Sequence, residues 1–261
     1  MRAFAADAVR AFHFLMRRAE RRFLRTPPPR GFFDEHPRFM ATSGTVQAVN
    51  RLNQRYAACI AANEKIIRGK RILDLTSHDG RFSFAALALG ASHVLGIEAR
   101  ERLVADSVAA MREYGAKEDS YRFILGDVFA ELDRIPPGSV DTVFCFGFFY
   151  HTIRHVTLLA KIARLQPAHV IIDTDISLSR DPIVRLRAER VELERDAVAV
   201  PGMKMVLSGL PSRGALELEL TSLGWQWRYF NWHSAGIRCW DDIVDYHEGR
   251  RVTLVASPAP L

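Results

Sequence analysis

The sequence predicts an α/β fold built on a doubly wound, mostly parallel sheet of seven strands, and three observations carry that prediction. Short apolar runs of strand length alternate with helix-length stretches from Lys70 onward. Residues 71–81, Arg-Ile-Leu-Asp-Leu-Thr-Ser-His-Asp-Gly-Arg, form an apolar run that ends in an acidic residue and a tight polar turn closed by glycine. Acidic residues recur at or just beyond the ends of the next two strands. Strands separated by helices at this spacing need crossover connections, hence a parallel sheet covered on both faces. A strand that stops at a turn and feeds a helix gathers backbone N–H groups around a cavity at its carboxyl end, where open α/β sheets bind nucleotide-like ligands.

The elements follow in order. Residues 3–25 predict a helix with Phe4, Ala8, Phe12, Leu15, Ala19 and Phe23 on one face and Arg10, Arg17 and Arg21 on the other. Its expected role is packing on its own domain or on a dimer partner. Attachment to an anionic membrane surface and a targeting peptide are the sharper alternatives. Thr26-Pro27-Pro28-Pro29-Arg30-Gly31 is a stiff, extended break. Phe32, Phe33, Phe39 and Met40 mark 32–44 as an irregular packed segment, so 1–44 is expected as an extension and 45–261 as the main domain. A second helical stretch, 45–68, carries Val46, Val49, Leu52, Tyr56 and Ile60 at helical spacing and is placed to cover one side of a cleft.

Strands are predicted over 72–75, 93–97, 121–125, 140–146 and 169–176, with helices over 82–89, 103–114 and 156–165. Residues 178–209 break the alternation and are expected as an insertion or lid over the carboxyl edge, helical over 183–194. Ser212 is a candidate N-cap for a helix over 214–223. Residues 225–232 and 251–256 read as closing strands, with a short helix or loop over 241–247.

Composition narrows the function. Hydrophobic residues make up 48% of the 261, ample for a buried core. No apolar run approaches the ~18 residues that cross a bilayer, so the chain reads as soluble. Cys59, Cys145 and Cys239 lie far apart without metal-ligand spacing, which fits a reducing, cytoplasmic setting. The net charge of +6 sits in residues 1–30, where eight arginines face Asp7 and Glu20, and the rest of the chain is balanced. A fold that wraps RNA carries its basic stripe on the fold itself, so nucleic acid is not the favoured partner.

Asp74, Glu98 and Asp127 stand at or just beyond successive strand ends. A carboxylate on strand 2 suits two neighbouring ribose hydroxyls, because it offers two acceptor oxygens. Asp127 is placed to accept from an exocyclic amine such as that of adenine. The plain alternative for each acid is a helix cap or a solvated loop.

With these residues in hand, the chain resembles the class I S-adenosylmethionine-dependent methyltransferases over roughly 70–177 plus the closing strands. In that family the first turn follows an acidic residue with three alternating glycines. Here Thr76 and His78 occupy two of those positions and Gly80 keeps the third. After strand 4, Phe146-Gly147-Phe148-Phe149-Tyr150-His151 is similar to the loop that faces the transferable methyl group. Its Gly-x-x-Tyr-His form also resembles the wobble-uridine tRNA carboxymethyltransferase branch. The resemblance implies S-adenosylmethionine as cofactor, held by Asp74, Thr76, His78, Gly80, Phe82, Glu98, Ala99, Asp127, Val128, Phe146 and Gly147.

His151 is then the candidate general base for an oxygen acceptor, with Tyr150 shaping the pocket; the alternative is an imidazole that only bonds backbone beneath the loop. No metal is assigned: Asp173 and Asp175 resemble an acidic metal-binding pair, but no third ligand is visible. Arg180, Arg185 and Arg187 are candidates for an anionic substrate, and His233 for the rim of the cleft. The leading expectation is O-methylation of a small molecule. tRNA modification through the arginine-rich arm and a non-catalytic cofactor-binding or scaffold role are the alternatives. Peripheral membrane contact through 3–25 and oligomerisation stay open.

Overall fold

The computed structural model describes residues 29–45, 48–190 and 205–258. The predicted helix over 3–25 and the centre of the 178–209 insertion lie outside them. One compact unit spans Gly31–Leu261. Residues 31–44 therefore belong with the sheet and not, as the sequence suggested, with the N-terminal extension. The cause is burial: Phe33 and Phe39 are fully enclosed and meet each other, and Phe33 meets Phe82, edge to face at 5.7 and 6.1 Å.

Seven strands form the central sheet in the order β3-β2-β1-β4-β5-β9-β8. These are β1 (Arg71–Leu75), β2 (His93–Glu98), β3 (Tyr121–Leu125), β4 (Thr142–Phe146), β5 (His169–Asp175), β8 (Gln226–Tyr229) and β9 (Arg251–Ser257). The first five pair in parallel, and β9 runs antiparallel to both neighbours. Side chains alternate across a strand. Leu73, Leu75, Val143, Cys145, Val170 and Ile172 thus enter one buried cluster, while Ile72, Phe144, Phe146 and Ile171 enter another. Both faces are covered, which explains why these strands read as continuous apolar runs.

The helices are α1 (Arg38–Ala41), α2 (Val49–Arg55), α3 (Arg81–Leu89), α4 (Glu101–Glu113), α5 (Val128–Arg134), α6 (His155–Arg164), α7 (Arg213–Ser222) and α8 (Val244–His247). Ser212 caps α7 by accepting from the Ala215 amide, as the sequence indicated. The helix expected over 45–68 changes character along its length. An α-helical stretch to Arg55 gives way to a π-turn over Tyr56–Ile60 and tighter turns over Ala61–Ile66. Asn63, with non-helical φ and ψ, donates its side-chain amide to the Ala58 and Cys59 carbonyls and so competes with the helix ladder. The sequence assigned nothing to α5, whose seven residues are too short for a clear period.

The insertion departs from expectation. Instead of a helix over 183–194, β6 (Val184–Arg190) pairs antiparallel with β7 (Met205–Pro211). Val184, Leu186 and Ala188 alternate with Arg185, Arg187 and Glu189, a period of two that the charges had disguised as a helical surface. Gly209 lets this hairpin approach the body: a Cβ there would lie 2.8 Å from Val184 Cγ1 and 3.0 Å from the Thr152 carbonyl oxygen. Gly209→Val is expected to lower unfolding free energy by about 1–3 kcal/mol, the usual cost of forcing methyl groups into a packed contact. Urea denaturation measures this, and unchanged stability would mean that the hairpin does not bear on the 148–154 loop.

Candidate active site

The turn after β1 follows a left-handed track at every second residue: φ is 55° at Thr76, 55° at His78 and 77° at Gly80. A left-handed residue with a Cβ costs roughly 1–2 kcal/mol, and a β-branched threonine there is a genuine outlier. The surroundings over-determine the turn. Ser77 N donates to the Ile97 carbonyl at 2.8 Å, His78 N to Glu98 Oε2 at 3.0 Å, and Ser107 Oγ to the His78 carbonyl at 3.0 Å. The shape that glycines would give is therefore kept without two of them. Gly80 does not face the cavity; its role is conformational, since a Cβ there would meet Ser107 Cβ at 3.0 Å.

Asp79 and Arg81, neither singled out from sequence, lock the turn from below. Both are buried and bond at 2.6 Å, and Thr42 Oγ1 donates to Asp79 at 2.7 Å. Burial alone would push the Asp79 carboxyl up, but the Arg81 guanidinium outweighs it and holds the group well below the usual carboxylate range. Arg81 also reaches His78 Nδ1 at 2.9 Å, closer than the 3.4 Å from that nitrogen to Asp79.

The three strand-end acids converge on one cavity, in different states. Asp74 is buried, and its carboxyl is pushed up to about 7, chiefly by desolvation, with Glu98 and Asp79 adding and the Ser83 hydroxyl bond opposing. Glu98 accepts from the His78 and Arg100 backbone amides, one on each oxygen. Asp127 caps α5 through Oδ1, accepting from the Ala130 amide, and also lines the cavity. Its capping and cavity-lining roles coexist.

On the other side of the cavity, Asp173 is completely enclosed. It accepts from Arg55 at 2.9 Å, Arg251 Nε at 2.8 Å, Tyr246 Oη at 2.8 Å and Thr253 Oγ1 at 2.7 Å. Both oxygens are thus taken by protein donors, while its neighbour Asp175 faces the cavity and is held by Arg251 at 2.8 Å. Burial would raise Asp173; Arg251 and Arg55 reverse that and keep it ionised. The guanidinium groups at the cavity are Arg51, Arg55, Arg81, Arg100, Arg154 and Arg251. Arg180, Arg185 and Arg187, proposed from sequence for an anionic substrate, are exposed and do not line it.

Gly147, with φ 73°, opens the loop after β4, and a short 3-10 turn, Phe149–His151, closes it. The imidazole of His151 lies against the Tyr150 ring, centroids 4.1 Å apart. Its Nδ1 stands 2.7 Å from Glu189 Oε2, a side chain delivered by β6. No sequence signal marked Glu189, which sits 38 positions away in a segment read as helix. Val206 and Leu207 of β7 line the same wall. His233 does not; it lies against Trp240 and His247. Trp225 and Trp232 are core residues.

The cavity holds about 620 Å³, within the roughly 300–1,000 Å³ of small-molecule and cofactor sites. Asp74, Thr76, His78, Phe82, Glu98, Ala99, Asp127, Val128, Phe146, Gly147, Tyr150 and His151 all line it. Residues 73–168 match the family model described as a methyltransferase domain. That stretch of the chain is a methyltransferase domain. Among solved structures, it is similar to the N-terminal domain of EvdMO1 with SAH bound (TM-score 0.57, 22% identity, 76% of this chain and 78% of that one). Magnesium protoporphyrin IX methyltransferase (ChlM) from Synechocystis PCC 6803 with bound SAM has TM-score 0.54 at 14% identity, over 86% and 91% of the two chains. The [4+2]-cyclase SpnF has TM-score 0.55 at 13% identity, over 81% and 83%. Likeness at this level carries the methyltransferase fold and not the reaction. No curated protein matches the sequence.

The Asp173 hub makes a direct prediction. Asp173→Ala leaves two arginines buried without their shared counter-charge, and should cost about 3–5 kcal/mol. A carboxylate whose folded pKa is depressed stabilises above its unfolded pKa, so this contribution should be present above roughly pH 4 and fade below it. Denaturant melts of both proteins at several pH values check the size and the sign.

Proposed function

We propose that this chain transfers the methyl group of S-adenosylmethionine to an oxygen atom of a small molecule, with His151 as the general base. The observation that carries the reading is the meeting, around one cavity, of the left-handed turn, the carboxylates of Glu98 and Asp127, and His151 on the opposite loop. The residues fit the cofactor. Glu98 spends one lone pair of each oxygen on backbone amides, leaving acceptor capacity for two hydroxyls. The Ser77 hydroxyl, in a residue that lines the cavity, is buried without a hydrogen-bond partner among the described residues. Amides at the start of α3 favour a carboxylate. When bound, S-adenosylmethionine supplies a methyl group on a positively charged sulfur, open to in-line displacement.

The protein's own share is positioning and proton handling. Glu98 and Asp127 orient the adenosine end, and the turn over 76–80 fixes the methionine end beside Asp74. Phe148, Ile153, Val206 and Leu207 give the acceptor side an apolar wall, which suits a hydroxyl carried on an apolar body. His151 Nε2 takes the hydroxyl proton as the oxygen becomes the nucleophile. His151→Ala should lower turnover by about 10²–10⁴-fold with unchanged cofactor binding, as read by methyl-labelled S-adenosylmethionine against a panel of phenols and other hydroxylated molecules. Equal turnover in the variant removes His151 from the mechanism.

Asp74 gives a second test. Its carboxyl ionises only as pH rises through about 7 in the empty protein, and a cationic ligand beside it favours the ionised form. Calorimetric binding of S-adenosylmethionine should therefore strengthen from pH 6 to 8 and release a proton. A raised carboxylate pKa has the opposite stability sign to that of Asp173: the empty protein loses stability as pH climbs from roughly 4 to 7. Asp74→Asn should accordingly raise the melting temperature at pH 8 while weakening cofactor binding about tenfold or more, the scale of one lost charged hydrogen bond. No heat with millimolar S-adenosylmethionine in the wild-type protein would favour a non-catalytic scaffold.

A further inference from the structure

We propose that Glu189, on the inserted hairpin, is a positioning residue that fixes the tautomer of His151 and so makes its Nε2 the bare, proton-accepting nitrogen. The inference rests on the reading of His151 as base and adds what prepares it. An ionised carboxylate only accepts hydrogen bonds, so the 2.7 Å contact between His151 Nδ1 and Glu189 Oε2 places the neutral ring's proton on Nδ1. The pair is shielded, with side-chain exposures of 13% and 15%, which strengthens a charge-assisted bond. Glu189 stands opposite Val206 in the hairpin register, and Val206 and His151 both line the cavity. The insertion thereby supplies one wall of the site and the group that orients its base.

Two other histidines show why this assignment is specific. His155 also faces a carboxylate, Glu219, but at 3.3 Å. It is stacked on Phe149 at 4.4 Å, does not line the cavity, and has a buried Nε2 without a hydrogen-bond partner. His78 does line the cavity, but the nearest group to its Nδ1 is the Arg81 guanidinium at 2.9 Å. That nitrogen also lies 3.4 Å from Asp79 Oδ1, so a donor and an acceptor both face it and no single carboxylate fixes its tautomer. In the reaction, the acceptor's O–H proton passes to His151 Nε2 and the new O–CH₃ bond replaces it. The S–CH₃ bonding pair stays on sulfur, leaving a neutral thioether. Glu189 stays ionised and steadies the imidazolium, and the proton is later lost to solvent.

Long-range ¹H–¹⁵N NMR of the full chain at about pH 8 reads the tautomer, with His151→Gln assigning the signal. The wild type should show His151 protonated on Nδ1. Glu189→Gln, whose amide oxygen still accepts, should keep that pattern, and Glu189→Ala should lose it. Turnover should fall about 10–100-fold in Glu189→Ala, the usual scale for losing an orienting partner. Glu189→Gln should fall in between, and S-adenosylhomocysteine affinity, measured calorimetrically, should not change in either. A wild-type ring protonated on Nε2, or a tautomer unchanged in Glu189→Ala, overturns the proposal. Turnover that survives His151→Ala with the Nδ1 tautomer intact instead overturns the base reading alone and leaves the Glu189 assignment standing.

Discussion

One buried carboxylate ties together elements that the chain supplies far apart. Asp173, at the carboxyl end of β5, is held by Arg55 from α2, Arg251 and Thr253 from β9, and Tyr246 from α8. The sequence separations reach 118 and 80 residues. A buried ion pair adds little net stability against an apolar alternative, because desolvation offsets attraction, but breaking it by removing one partner is costly. Its value is geometric: β9, the antiparallel strand of the sheet, and the helix before β1 have one register in which both arginines reach a single carboxylate. Arg251, so placed, also holds Asp175 and lies 5.7 Å from the Tyr150 ring. The side of the cavity facing the loop over 147–151 is built on that hub.

The opposite side depends on backbone strain. Thr76 and His78 adopt a conformation that glycine takes at little cost, and bonds from β2, α4 and Glu98 hold them there. Strain sustained in this way concentrates at functional sites. The Asp74 carboxyl, raised by its own burial, is a second cost borne by the empty protein at the same place. Both are what a site looks like when a ligand completes it.

The parts legible in the sequence were those governed by local period and by position along a strand. Runs such as 143–146 and 170–172 are apolar on both faces, so they announce themselves as central strands. Asp74, Glu98 and Asp127 could be aligned because strand ends in a parallel sheet share one edge. Gly147 and His151 followed from their loop. What failed needed three dimensions. The β6–β7 hairpin was misread because Arg185, Arg187 and Glu189 hid a two-residue alternation. Arg55 and Arg251, which face the cavity, are buried partners of the distant Asp173, whereas the exposed Arg180, Arg185 and Arg187 drew attention through their charge alone. Glu189 had no local signal, since its meaning comes from the imidazole across the hairpin.

The central claim is that the turn over 74–80 and the loop over 147–151 are two halves of a single methyl-transfer site. A crystal structure of the full chain with S-adenosylhomocysteine tests it most directly. The account predicts the ribose hydroxyls on Glu98, the adenine beside Asp127, and the thioether sulfur on the side of the cavity that holds His151 Nε2. A ligand whose sulfur turned away from His151, or that bound outside this cavity, would contradict it.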